Sequence, residues 1–151
     1  YVNEFKDNPK IDSMRKTPSI HKDIVLGAKL RNPFNHPTVM YRKSSVIKAG
    51  NYKKFSGFED YYLWVRMIMN GACFFNITEP LVNMRIGNAI SKRRGGFRYC
   101  INEIKLQYKF LEMGFISNLV FIRNILIRIP VRLMPSIARS QLYKIIRKFK
   151  I

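Results

Sequence analysis

The run FEDYYLWVRMIMNG, Phe58 to Gly71, limits the possible folds of this chain more than any other stretch. Leu63, Met67 and Met69 before Gly71 read as an amphipathic helix with a glycine stop, and Glu59 and Asp60 fall on its first turn, where the helix dipole favours negative charge. The chain holds only nine acids against twenty-eight Lys and Arg, so two adjacent carboxylates stand out chemically. A cleft-lining carboxylate among so many cations stays ionised and is ready to accept a proton. Asp60 and Glu59 are therefore the candidate catalytic pair.

Around this helix, strands and helices alternate. Ser19 to Leu30 places Ile20, Ile24, Val25 and Ala28 at helical spacing. Arg31 to Pro37 (RNPFNHP) is a loop by its Pro and Asn content, and Thr38 to Tyr41 reads as a buried strand. Ser44 is expected to cap a short helix through Ala49 that Gly50 ends, and Ala72 to Ile77 and Leu81 to Ile86 read as two strands joined across Thr78-Glu79-Pro80. Gly87 to Phe97 is glycine-rich and basic, with Lys92, Arg93 and Arg94 in a row, and suits a mobile loop. From Tyr99 to Met113, Ile101, Ile104, Tyr108 and Leu111 define an amphipathic helix that is expected to pack on the sheet and to close at Gly114. The alternation predicts an α/β fold.

The totals bound the partners. A chain of 151 residues, 47% apolar and 13% aromatic, is long enough for one globular core. Its net charge of +19 calls for phosphate, nucleic acid or an acidic membrane face. Cys73 and Cys100 form no CxxC pair and read as two free thiols of a reducing compartment. The sequence opens on Tyr1 with no charged segment followed by an apolar run, so no signal peptide is read, and a processed product or fragment is expected.

Residues 113–151 differ from the rest: they carry eight Lys or Arg and no acid, whereas residues 1–112 carry the other twenty basics and all nine acids. The predicted organisation is thus a catalytic part, 1–112, and a basic amphipathic helical tail, 113–151. Phe115 to Met134 is apolar, but Arg123, Arg128 and Arg132 interrupt it and Pro130 is expected to break it, which argues against a transmembrane helix. In Gln141 to Ile151, Leu142, Ile145, Ile146 and Phe149 share one face and Lys144, Arg147, Lys148 and Lys150 the other. A helix of that design lies in the headgroup layer of an anionic membrane.

The stretch NHPTVMYRKSSVIKAGNY, followed by FEDYYLWVRMIMNGACFFNITEPLVNMRIG, resembles glycosyltransferase family 2, the inverting GT-A (Rossmann-like) enzymes that build bacterial capsule, exopolysaccharide or lipopolysaccharide. The order of parts matches the C-terminal half of such a domain over residues 1–112, which implies a mixed sheet with flanking helices, and the tail is similar to basic extensions of the same enzymes. The resemblance implies that Asp60 is the catalytic base and Glu59 its partner in the family's "ED" signature. It implies that Arg85 and the Lys92, Arg93, Arg94 loop neutralise the departing diphosphate and that His36 contacts donor or acceptor. Trp64 reads as core.

Further expectations follow from the resemblance: a nucleotide-sugar donor, a saccharide or lipid-linked acceptor, hexosyl or N-acetylhexosaminyl transfer, and a cytoplasmic, peripheral place on the inner membrane face. The family also implies Mg²⁺ or Mn²⁺ held by an Asp-x-Asp motif, which does not occur in this sequence, so no metal ligand is assigned in this chain and the isolated fragment is expected to be inactive. The Gln-x-x-Arg-Trp motif of processive members is also absent, which favours single addition. Two other readings compete. One is a basic nucleic-acid-binding module, suggested only by charge and aromatic content and lacking any recognition motif, so no nucleic acid is expected. The other is a non-catalytic membrane-surface remnant of a truncated transferase.

Overall fold

The computed structural model describes residues 1–6, 11–86, 95–135, 137–139 and 141–142. At its centre is the helix α3, Glu59–Met69, whose residues Tyr61 to Met67 are all buried. It is packed on two sides rather than one. Tyr61, Tyr62 and Val65 join a cluster with Leu106, Phe110, Phe115 and Ile116, while Leu63, Trp64 and Met67 join Ile24, Phe34, Val46 and Ala49. Trp64 is fully buried, as its size predicts.

Preceding α3 are β1 (Val2–Phe5), β2 (Ser13–Arg15), α1 (His21–Ala28), a 3₁₀ turn (His36–Thr38) and α2 (Lys43–Lys48). After it come β3 (Val82–Arg85), α4 (Phe97–Glu112) and α5 (Asn118–Leu133). The sheet is small and mixed, in the order β2-β1-β3: β1 runs antiparallel to β2, pairing Val2 with Arg15, and parallel to β3, pairing Val2 with Val82 and Phe5 with Arg85. The mixed α/β architecture expected from the sequence is present.

Its strands are mostly elsewhere. Thr38 to Tyr41 is no strand: Thr38 closes the 3₁₀ turn by donating its N–H and its hydroxyl to Asn35 O, and Met40 is 97% exposed. Ala72 to Ile77 is extended but pairs with no strand. Instead it bonds to the chain around the start of α1, Phe74 N donating to His21 Nδ1 in the first turn and Asn76 N to Ser19 O just before it. Of the expected pair only Val82–Arg85 forms a ladder. In the central strand β1, the inward positions are Val2 and Glu4, and a buried acid hides the alternation by which strands are recognised.

Ser44 does not cap α2; the N-cap is Arg42, two residues earlier, with no side-chain cap. Gly50 ends it at φ +77, as expected. The guanidinium of Arg66, on α3, then donates to Ala49 O and Asn51 O and fixes the turn.

Helix α4 turns the opposite face inward from the one its apolar stripe suggests. Cys100, Glu103, Leu106, Gln107 and Phe110 are buried, while Ile101, Ile104 and Tyr108 are exposed. Partners on α5 make this possible, because Glu103 is paired with Arg128 and Arg132, and Gln107 Oε1 accepts from Asn124 Nδ2. Pro130 does not break α5, which runs through it to Leu133. Arg128 and Arg132, one turn apart and flanking the proline, are tied to the same carboxylate and hold both turns in place. Phe110 of α4 and Phe115 and Ile116 beyond it belong to one core cluster, so packing is continuous across residue 113. Among the described residues no helix is long and apolar enough to cross a membrane. The amphipathic pattern of 141–151 lies, beyond residue 142, outside the described residues.

Candidate active site

The loop that faces the acid pair is positioned by the C-terminus of α1. A helix leaves its last carbonyls without partners, and here three side chains from two other helices supply them. Tyr61 Oη donates to Ala28 O (2.6 Å), Asn124 Nδ2 to Lys29 O (2.8 Å) and the Arg128 guanidinium to Leu30 O. With that end fixed, Arg31 to Pro37 leaves α1 in a defined direction. Asn32 then folds back on its own loop, its Oδ1 accepting from Phe34 N (3.2 Å), the i to i+2 pattern of an Asx turn.

The other end of the Asn32 amide points at the catalytic candidate. Asn32 Nδ2 donates to Asp60 Oδ2 at 2.8 Å, and Tyr61 N donates to Asp60 Oδ1 at 2.7 Å. Asp60 is half-buried, and among the described residues it makes no ion pair. Glu59 is engaged differently: its Oε2 accepts from Gly57 N (3.1 Å), closing the tight turn that Gly57 makes at φ +83 before α3. The two adjacent acids therefore have separate jobs, one held towards the loop and one bracing its own helix start.

One turn along α3, Trp64 shares the face of Asp60 and carries an aromatic group on it. The rings of Tyr41, His36 and Tyr52 lie 6.0, 6.2 and 6.5 Å from Trp64, and His36 lies 6.3 Å from Tyr52. Tyr41 and Tyr52 are 45% and 43% exposed, so their edges are open to a ligand while the indole beneath is not. Burial, a hydrogen bond with Tyr41, the Tyr41 charge and the Asp60 charge push the Tyr52 phenol up to about 12. Tyr52 is a neutral phenol close enough to Asp60 to feel its charge.

Not every expected residue joins this cluster. His36 does, exposed at the start of the 3₁₀ turn. Arg85 does not: it is exposed at the end of β3, with its guanidinium 5.6 Å from the Phe5 ring centre, and it makes no ion pair with Glu79. Lys92, Arg93 and Arg94 lie outside the described residues. A shallow cavity of ≈ 130 Å³, lined by Ser45, Lys48, Met67, Asn70, Gly71 and Ala72, sits at the far end of α3, roughly 15 Å of helix from Asp60. Among the described residues no group of three or more His, Cys, Asp or Glu side chains is placed to hold a metal ion. Asn32, Tyr41 and Tyr52 were not singled out by sequence. Asn-Pro-Phe is a legible Asx-turn signal, but its target 28 residues away is not.

No family model matches the chain, and no solved structure matches it. Among curated proteins it is similar to named glycosyltransferases. It is 41% identical over 150 residues to the UDP-Gal:alpha-D-GlcNAc-diphosphoundecaprenol beta-1,3-galactosyltransferase of Escherichia coli, covering 99% of this chain and 54% of that protein. It is 34% identical over 150 residues to the amylovoran biosynthesis glycosyltransferase AmsE of Erwinia amylovora, covering 97% and 55%. The chain spans about half the length of the curated relatives it matches.

Proposed function

We propose that this chain is the acceptor-side, C-terminal part of an inverting family 2 glycosyltransferase of GT-A type, and that Asp60 is its general base. The observation that carries the reading is a single geometry. A half-buried carboxylate at the head of the central helix is aimed by Asn32 and by the Tyr61 N–H, has no ion-pair partner among the described residues, and stands beside an exposed aromatic group. In the reaction the acceptor hydroxyl oxygen attacks the anomeric carbon, the bond from that carbon to the nucleoside diphosphate breaks, and the hydroxyl proton passes to Asp60. The open edges of Tyr41, Tyr52 and His36 suit the apolar face of a sugar ring, and the Tyr52 hydroxyl suits a neighbouring sugar oxygen.

The similarity to an enzyme named for a diphosphoundecaprenol acceptor supports a nucleotide-sugar donor and a lipid-linked saccharide acceptor in surface polysaccharide synthesis, with hexosyl or N-acetylhexosaminyl transfer. Such an acceptor favours work at the inner membrane face. The resemblance alone supports a role for Arg85, which stands apart from the aromatic cluster, and for Lys92 to Arg94 in neutralising the leaving diphosphate. The divalent ion, Mg²⁺ or Mn²⁺, falls to the donor-binding part that carries Asp-x-Asp ligands.

The test is Asp60→Asn in the full-length transferase, assayed with UDP-galactose and an α-GlcNAc diphospholipid. Loss of general-base catalysis lowers kcat by roughly 10²–10⁴-fold. Glu59→Gln, which removes the charge but keeps an amide oxygen to accept from Gly57 N, has the smaller effect. Wild-type turnover in Asp60→Asn removes Asp60 from the mechanism.

A further inference from the structure

Helix α5 turns an unusual share of its polar groups inward. The side it turns to the protein carries buried Asn124 and the ion-paired Arg128 and Arg132 beside Val120 and Phe121, which pack on the core. The side it turns outward carries Leu119, Ile122, Leu126 and Leu133, spaced by three, four and seven residues along one face and 79%, 52%, 69% and 57% exposed. A helix packed on a water-soluble core normally has the reverse polarity. Four exposed aliphatic side chains in register form a stripe, not scattered surface residues.

The charge around the stripe identifies what covers it. Helix α5 carries three Arg and no acid: Arg128 and Arg132 are paired inward with Glu103, and Arg123 is exposed next to Ile122. A helix with an aliphatic face and only cationic charge around it matches a layer that is apolar below and anionic above. We propose that α5 binds the surface of an anionic phospholipid membrane, with Leu119, Ile122, Leu126 and Leu133 in the acyl boundary and Arg123 at the phosphates. This rests on the membrane-face placement proposed above, and it assigns the contact to α5 rather than to the segment 141–151. The inward ion pairs to Glu103 then have a second consequence, because they keep Arg128 and Arg132 off the lipid face and hold the stripe outward.

The test is cosedimentation of the 151-residue chain with phosphatidylglycerol/phosphatidylcholine vesicles. The double variant Leu119→Glu/Leu126→Glu is expected to lower partitioning by about tenfold or more, since two acids replace two inserted aliphatic groups. Unchanged emission from buried Trp64, the chain's one tryptophan, shows that the variant is folded. As a second readout, Leu126→Trp is expected to be quenched by brominated lipid, whereas wild-type Trp64 is not. Equal partitioning of the double variant, as when 141–151 alone binds, overturns the proposal. So does an unquenched Leu126→Trp, or a dimer in light scattering that Leu126→Glu dissociates without any vesicle binding. Asp60→Asn is expected to bind vesicles as the wild type does, and the double variant to retain transfer to a water-soluble acceptor. Failure of the one reading is therefore distinguishable from failure of the other.

Discussion

Asn32 is the residue on which the geometry of Asp60 turns. Its amide oxygen is used up by Phe34 N, which leaves the NH₂ end no choice but to face the carboxylate. A carboxylate gripped at one oxygen by a side chain and at the other by its own helix N–H cannot swing between rotamers, and pre-set orientation is what a proton acceptor needs. Asn32→Ala in the full-length transferase is expected to reduce kcat roughly 10- to 100-fold through misplacement of the base. The KM for acceptor stays near the wild-type value, because Asn32 acts on Asp60 rather than on the sugar. Steady-state kinetics check the split: a raised KM with unchanged kcat would make Asn32 a binding group instead. Tyr52 belongs to the other half of the site. Tyr52→Phe keeps the ring beside Trp64 and removes only the hydroxyl, so it is expected to raise acceptor KM with little change in kcat.

The pairing of α4 with α5 depends on one buried acid. Glu103 is completely buried, and Arg132 Nε lies 2.7 Å from its Oε2 while Arg128 reaches Oε1. Burial alone would raise its pKa, but the hydrogen bonds and charges of Arg132 and Arg128 outweigh it and hold the carboxyl below the usual carboxylate range. A depressed folded-state pKa means that this contribution to stability is fully present above the unfolded value and is lost as pH falls through the folded one. Glu103→Gln leaves two guanidiniums without their counter-charge and is expected to cost about 3–5 kcal/mol at neutral pH. Urea unfolding at pH 7 and pH 3 checks this, since the difference between wild type and variant shrinks in acid. The same triad explains what the sequence hides. Helices were legible because Gly50 and Gly114 end them and their apolar residues recur every three to four positions. The inward face of α4 was not, because Glu103 and Gln107 look like solvent residues until α5 supplies Arg128, Arg132 and Asn124. Likewise Glu59 and Asp60 were visible as a pair at a helix head. Which of them faces the loop is set by Asn32, a contact that no local pattern encodes.

For the molecule as a whole, charge divides the chain at residue 112 but packing does not. Ser117 caps α5 by accepting from Val120 N, and the helix then returns along α4 to supply the partners of Lys29 O and Leu30 O at the end of α1. The loop that carries Asn32 starts there, so the candidate base is oriented through contacts made by a helix some sixty residues later in the chain. A chain ending at Glu112 would lack Phe115 and Ile116 from the main cluster, leave Glu103 buried without either arginine, and expose two helix-end carbonyls. Burying each large apolar side chain is worth about 1.5–3 kcal/mol, and an unpaired buried charge costs about 3–5 kcal/mol. Together these approach the roughly 5–15 kcal/mol that holds an entire domain folded. A 1–112 chain is therefore expected to be unfolded or only loosely collapsed, with red-shifted Trp64 emission and no cooperative urea transition. A chain ending at Leu142 is expected to keep the blue-shifted emission of a buried indole. A cooperative, native-like 1–112 would show that the charge boundary is also a folding boundary, and that α5 docks on an already formed site instead of building it.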